Sequence, residues 1–173
     1  MIDTVIVRSA KEEDFVPLCA LYHESVQRNQ AGFIQDLAFH GCMIAKTRQW
    51  REAGGDMLVA LDGDTLIGMG ALAPHGHGKV ELCKLHVNEA MQGRGIGRML
   101  AERLIARAVE LGFAEIELHV TRTQVAAVGL YRQLGFERLK EERFTTVVFG
   151  QPASFDTVFM RMALGTQSRA SAA

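Results

Sequence analysis

Residues 91–100 read MQGRGIGRML, which sets Gly93, Gly95 and Gly97 at alternate positions at the mouth of an apolar-periodic stretch. Such a cluster suits phosphate: bare backbone N–H groups can approach an anion with no Cβ in the way, and the positive end of a helix dipole favours negative charge. The spacing tests which cradle this is. A Rossmann fingerprint starting at Gly93 needs a third glycine where Arg98 stands, and one starting at Gly95 needs it where Leu100 stands. A P-loop needs Gly-Lys-Ser/Thr at its end, and no glycine of the chain is followed by lysine and a hydroxyl residue. Two other groupings invite chemistry. His75 and His77 form an H-x-H pair with no evident third ligand, which fits a polar loop better than a metal site. Cys83 has no identifiable histidine partner, and a strand cysteine is ordinarily buried and inert rather than a nucleophile.

What remains at the glycines is Gln92-x-x-Gly95-x-Gly97 between a strand and a long amphipathic helix. This pattern resembles the acyl-CoA signature of the GNAT-type N-acetyltransferases, Gln/Arg-x-x-Gly-x-Gly/Ala. The preceding run Leu82-Cys83-Lys84-Leu85-His86-Val87 is similar to that family's cofactor-flanking strand, where a bulge exposes main-chain groups to the pantetheine arm. Downstream, Ala126 to Phe136 resembles the second family signature, Asn-x-x-Ala-x-x-Leu-Tyr-x-x-x-Gly-Phe, except that Gln124 stands where the asparagine is expected, so its contact is altered or supplied by Thr123. The resemblance is sharp from Glu81 to Phe136 and architectural elsewhere. It implies an α/β (α+β) fold: a mixed, mostly antiparallel central sheet flanked by helices, with a splayed strand pair at the acyl-CoA site. It also implies acetyl-CoA as co-substrate with no metal, a primary amine of a small molecule or peptide as acceptor, and a homodimer as a family-level expectation.

Acetyl transfer to an amine needs a held thioester, a neutral nucleophile, stabilisation of the oxyanion and a proton for the leaving thiolate. The resemblance assigns the first to Leu85, His86 and Val87 with Gln92, Gly93, Arg94, Gly95, Ile96, Gly97, Arg98 and Gln124. The N–H near Val87 would polarise the thioester carbonyl, and Arg94 and Arg98 could add charge-assisted contacts to the pyrophosphate. Tyr131 matches the family's general-acid position; the alternative is a core tyrosine with a bonded hydroxyl. Glu81, eleven positions before Gln92, matches a base of the histone-acetylating branch, provided burial raises its pKa; the alternative is a strand-pairing glutamate. His86 and His119 either line the acceptor channel or are satisfied strand histidines. Direct attack in a ternary complex is expected, and a non-catalytic acyl-CoA sensor is the alternative class.

These groups must be held by a scaffold that the rest of the sequence outlines. Thr4–Arg8 reads as a strand feeding a helix over Phe15–Gln27, and a second helix is expected over Asp36–Glu52, closed by Gly54-Gly55. Met57–Leu61, Asp62-Gly63-Asp64 and Thr65–Leu72 read as a hairpin, followed by a strand over Lys79–Val87. From Gly95 to Leu111 the residues Ile96, Met99, Leu100, Leu104, Ala108 and Leu111 share one helical face. Leu111-Gly112-Phe113 and Leu134-Gly135-Phe136 each close a helix into a strand, at Glu115–Val120 and Glu137–Glu141. A last strand is expected over Ser154–Met162. The variable segments Tyr22–Phe39 and a loop at Arg143–Phe155 would choose the acceptor.

The chain has 173 residues, 48% of them hydrophobic, and a formal net charge of -1, which suits one domain over 1–164 and argues against nucleic acid or an anionic membrane as partner. Three scattered cysteines suggest neither a disulfide framework nor a zinc site, and no signal-like or membrane-spanning run stands out, so the cytoplasm is the expected location. The Ser- and Ala-containing segment 165–173 is expected to be a disordered tail.

Overall fold

Two turns organise the centre of the molecule, Gly63-Asp64 and His77-Gly78, where left-handed backbone lets consecutive strands fold back on each other. The computed structural model describes residues 4–28, 34 and 40–165. In chain order the elements are β1 (Val5–Ser9), a single 3-10 turn (Glu12–Asp14), α1 (Phe15–Arg28), α2 (Met43–Glu52), β2 (Asp56–Asp62), β3 (Thr65–Gly76) and β4 (Lys79–Val87). A second 3-10 turn (Glu89–Met91) leads to α3 (Ile96–Glu110), β5 (Glu115–Thr121), α4 (Val125–Gln133), β6 (Glu137–Val148) and β7 (Gln151–Ala163).

The strands form one sheet in the order β1-β2-β3-β4-β5-β7-β6. Every neighbouring pair is antiparallel except β4 with β5. That parallel pairing runs only from Lys79↔Glu115 to Glu81↔Glu117, although β4 continues to Val87 and β5 to Thr121. Beyond Glu81 the two strands have left each other, and a gap opens in the middle of the sheet.

Both faces of the sheet are covered, which is why β3 reads as an almost unbroken apolar run from Ile67 to Ala73. On one face Leu104 and Ala108 of α3 pack against Leu58, Leu72 and Leu82, joined by Tyr131 and Phe136, and Leu100 packs against Ala60 and Ile67. On the other, Leu18, Leu21, Tyr22 and Val26 of α1 and Met43 of α2 pack against Met57, Val59, Met69 and Ala71. A buried carboxylate ties the layers together at one end. Asp56 accepts from Ser9 Oγ (2.6 Å), Arg51 Nε (3.2 Å) and Arg107 Nε (2.9 Å), joining β1, α2 and α3 to β2. These bonds outweigh the cost of burial and hold the Asp56 carboxyl below the usual carboxylate range.

Several expectations need correction. Arg143–Phe155 is not a loop: β6 and β7 are long, paired from Glu137↔Arg161 to Val148↔Gln151, and only Phe149-Gly150 turns. The β-branched run Thr145-Thr146-Val147-Val148 supports an extended edge strand whose charged, exposed residues guard it against further pairing. The second helix begins at Met43, because Gly41 lies at φ 70 and Cys42 is extended; residues 36–39 of its expected span lie outside the described residues. The expected tail, apart from Gly165, lies outside them too.

Candidate active site

The glycine loop stands at the open end of the gap between β4 and β5. Gly93 and Gly95 adopt φ 73 and 83, a conformation L side chains rarely tolerate, and Gly95 is the N-cap of α3. A Cβ at Gly93 would enter open space, so that side of the loop is clear for a ligand. Gly97 lies just inside the first turn of α3, and Ile96 is buried beneath it against Ala60, Ile67 and Leu100. Gln92 does not point away from the sheet: its Nε2 donates to the Val87 carbonyl at 3.1 Å and pins the loop to the end of β4.

Antiparallel bonding alternates along a strand. Asn88 N–H donates to Ile67 O on the β3 side, so Val87, one position earlier, turns its own N–H and C=O away from β3 and into the gap. Just before it, β4 carries a bulge. Met69 pairs with His86 and Ala71 with Cys83, so Lys84 and Leu85 together oppose Gly70, and Lys84 takes the left-handed φ of 56. The strand bulge expected on the resemblance is therefore present, at Lys84-Leu85. Leu85 packs its side chain toward α3.

The arginines differ. Arg98 is held by Glu102 (3.4 Å) and by Gln133 of α4, so it links two helices. Arg94 is exposed on the loop. Gln124 is the N-cap of α4 but makes no side-chain cap bond, so it does not reproduce that role of a capping asparagine.

Tyr131 projects from α4 into the core, 7% exposed, and packs edge-on against Phe136 at 5.7 Å between ring centres. Burial raises its phenol pKa well above the ordinary value, with a smaller contribution from nearby Cys83, so the hydroxyl keeps its proton. Burial also pushes the Cys83 thiol up to about 12, which agrees with an inert cysteine.

Glu81 sits where the gap begins, on the α1 side of the sheet. It is not a carboxyl with a raised pKa. Its Oε2 receives His75 Nε2 at 2.8 Å and its Oε1 receives His119 Nδ1 at 3.0 Å. Burial alone would raise its pKa, but the two imidazoles outweigh burial and leave it below the usual range. The same contact raises His119, with burial and Lys84 opposing. His75 is thus bound to a partner rather than loose in a loop, and His77 forms the left-handed turn beside it. No local sequence signal marks this constellation. Counting across the hairpin closed by Gly76–Gly78 would have brought His75 next to Glu81, because Ala73 pairs with Glu81 and Gly76 with Lys79.

Further along β4, His86 is buried with Nδ1 at 2.9 Å from Ser25 Oγ and its ring edge-on to Tyr22. Burial, with smaller contributions from Lys84 and His40, pushes it down to about 3, so its imidazole is neutral. Lys84 reaches Tyr22 Oη at 3.3 Å and lies over its ring, and burial lowers its pKa. Between α1 and the end of β4 lies a cleft of about 300 Å³ lined in part by Leu21, Ser25, Arg28, Val87 and Gln92. Among the described residues no group of three or more His, Cys, Asp and Glu is arranged to hold a metal, and no helix is long and apolar enough to cross a membrane.

Comparison with known proteins bears directly on this geometry. The chain is 37% identical over 79 residues to the mycothiol acetyltransferase of Jonesia denitrificans, a match covering 46% of this chain and 24% of that protein. The chain therefore spans only about a quarter of that relative's length. The phosphinothricin acetyltransferase (Pat) of Sinorhizobium meliloti, solved in complex with AcCoA, superposes with a TM-score of 0.79 at 26% identity over 94% of this chain and 89% of that one. The ribosomal-protein-alanine N-acetyltransferase of Brucella melitensis superposes with a TM-score of 0.76 at 25% identity, covering 92% of this chain and 99% of that one. The model of the Acetyltransferase (GNAT) family matches residues 19–136, from α1 through the second signature, and the protein belongs to that family.

Proposed function

We propose that the protein is an acetyl-CoA-dependent N-acetyltransferase that moves the acetyl group directly to a primary amine of a small molecule or peptide. The observation that carries this reading is the divergence of β4 from β5 beyond Glu81, with the left-handed Gly93–Gly95 turn and the start of α3 at the open end of the gap. Acetyl-CoA, when bound there, supplies an activated thioester carbonyl.

The chain's own residues divide the remaining work. The turn over Gln92–Gly97, with Arg94 and Arg98 beside it, offers backbone N–H groups and positive charge to a pyrophosphate. Val87 N–H and the bulged main chain at Leu85 line the gap and can bond an extended amide arm or polarise a carbonyl. Gln124 stands at the start of α4 on the opposite wall. Tyr131, protonated at neutral pH, is the group to hand a proton to a departing thiolate.

The test is thiol release from acetyl-CoA against a panel of amines. Turnover on a primary amine supports the reading, whereas tight acetyl-CoA binding with no release on any acceptor assigns an acyl-CoA-binding module instead. Tyr131→Phe should lower kcat by about 100-fold and leave acetyl-CoA affinity, measured calorimetrically, unchanged. Unaltered turnover would remove Tyr131 from the proton path.

A further inference from the structure

Resting on the amine-acetylation reading above, we propose that His119, rather than Glu81, takes the proton from the acceptor ammonium, with Glu81 as its positioning residue and His75 clamping Glu81 from the other side. Both Glu81 oxygens already receive an imidazole, and the carboxylate is 15% exposed, whereas the His119 side chain is 55% exposed at the mouth of the gap. Nδ1–H donated to Oε1 fixes the tautomer, so Nε2 carries the lone pair on the far side of the ring. The ring is steadied at 5.8 Å from that of Phe159 on β7.

The step balances simply. An N–H bond of the acceptor ammonium breaks, its electron pair stays on nitrogen as the attacking lone pair, and a new N–H bond forms at His119 Nε2. The imidazolium is held by the adjacent carboxylate and returns its proton to water from its exposed edge.

Charged and titratable neighbours on this face are Glu81, Cys83 and Lys84 of β4, His75 of β3, Glu117 of β5, Arg161 of β7, and Lys140 of β6, which lies over the Phe159 ring. Glu81 raises the His119 pKa and Lys84 opposes it, with the carboxylate prevailing. Glu81 itself, held below the usual carboxylate range, is a weak base at neutral pH.

The experiment is the pH profile of kcat/KM for the wild type, His119→Gln, His119→Ala and Glu81→Gln, run on two acceptor amines of different basicity, with acetyl-CoA affinity measured for each protein. The proposal expects an acid limb in the wild type that stays in place when the acceptor is changed. His119→Gln should abolish that limb and fall by about 100-fold near neutrality, and added imidazole should partly restore His119→Ala. Glu81→Gln should keep the limb and move it to lower pH, because His119 loses the carboxylate that raises it. Acetyl-CoA affinity should be unchanged throughout. A limb that survives in His119→Gln, or disappears only in Glu81→Gln, overturns the assignment while amine acetylation stands. Absence of thiol release by the wild type on every amine would instead sink the functional reading and this proposal with it.

Discussion

Two acidic side chains, Asp56 and Glu81, are each ringed by cationic or basic partners and each held below the usual carboxylate range, yet their partners differ in kind. Asp56 is 4% exposed and gathers Ser9, Arg51 and Arg107 from three different elements. Its charged partners are guanidiniums, which do not titrate in any accessible range, so the cluster is a fixed fastener. Glu81 gathers two half-exposed imidazoles, a side-chain type that can take up and release a proton where a guanidinium cannot. The partner chemistry, more than the carboxylate, separates a structural site from one that can move protons.

The same carboxylate-to-amide swap should therefore divide the two. Asp56→Asn leaves two guanidiniums facing an amide and should cost about 3 kcal/mol, read as a lower urea midpoint; a loss below about 1 kcal/mol would place the fastening elsewhere. The pH dependence of stability separates them next. Asp56, whose pKa is lowered on folding, contributes fully above the unfolded carboxylate value of about 3.9, and that contribution is lost as pH falls through the lower folded value. His119, whose pKa is raised, contributes fully below about 6.5 and loses its contribution as pH rises through the folded value. Urea midpoints should climb out of acid, then sag slightly as pH rises beyond about 6.5, and His119→Gln should erase only the sag.

Glu81→Gln should change stability by less than about 1 kcal/mol, since its histidine partners are half in water; a loss as large as that at Asp56 would make Glu81 a second fastener. Smallest of all, Glu142→Gln removes an ion pair with Lys140 in which both side chains are more than half exposed, and should shift stability by no more than about 0.5 kcal/mol.

What the sequence disclosed followed chain proximity. The glycine turn, the apolar face of α3 and the β2–β3–β4 meander were readable because their signals lie within a few residues of one another. The long β6–β7 hairpin was not, since its turn is Phe149-Gly150, with a phenylalanine at φ 48 where a small polar residue is the usual marker. Both carboxylate clusters were also hidden. Ser9 and Arg107 meet Asp56 from 47 and 51 residues away, and His119 reaches Glu81 only because a parallel register sets Glu81 opposite Glu117. Sequence separation conceals such partners even when each residue is plainly of a chemical type.

The bulge at Lys84 is a phase slip. In an unbroken strand residues three apart face opposite sides of the sheet, yet Cys83 and His86 both face α1, paired with Ala71 and Met69 on one side of β3. One extra residue thus lets a single strand keep two separate alternations: one half presents Glu81 and Cys83 toward α1, and the other presents His86 toward α1 with Leu85 and Val87 toward α3. Straightening the strand with every residue kept would put both halves on one count, and one of them would have to turn inside out, sending either Glu81 or His86 into the apolar packing beneath α3; deleting Lys84 would instead leave Cys83 and His86 two apart, each on its present face, with only the bulge lost. The interval between Glu81 and Val87 is therefore a matter of odd and even, and a one-residue deletion at Lys84 would keep every face while removing the kink in the main chain.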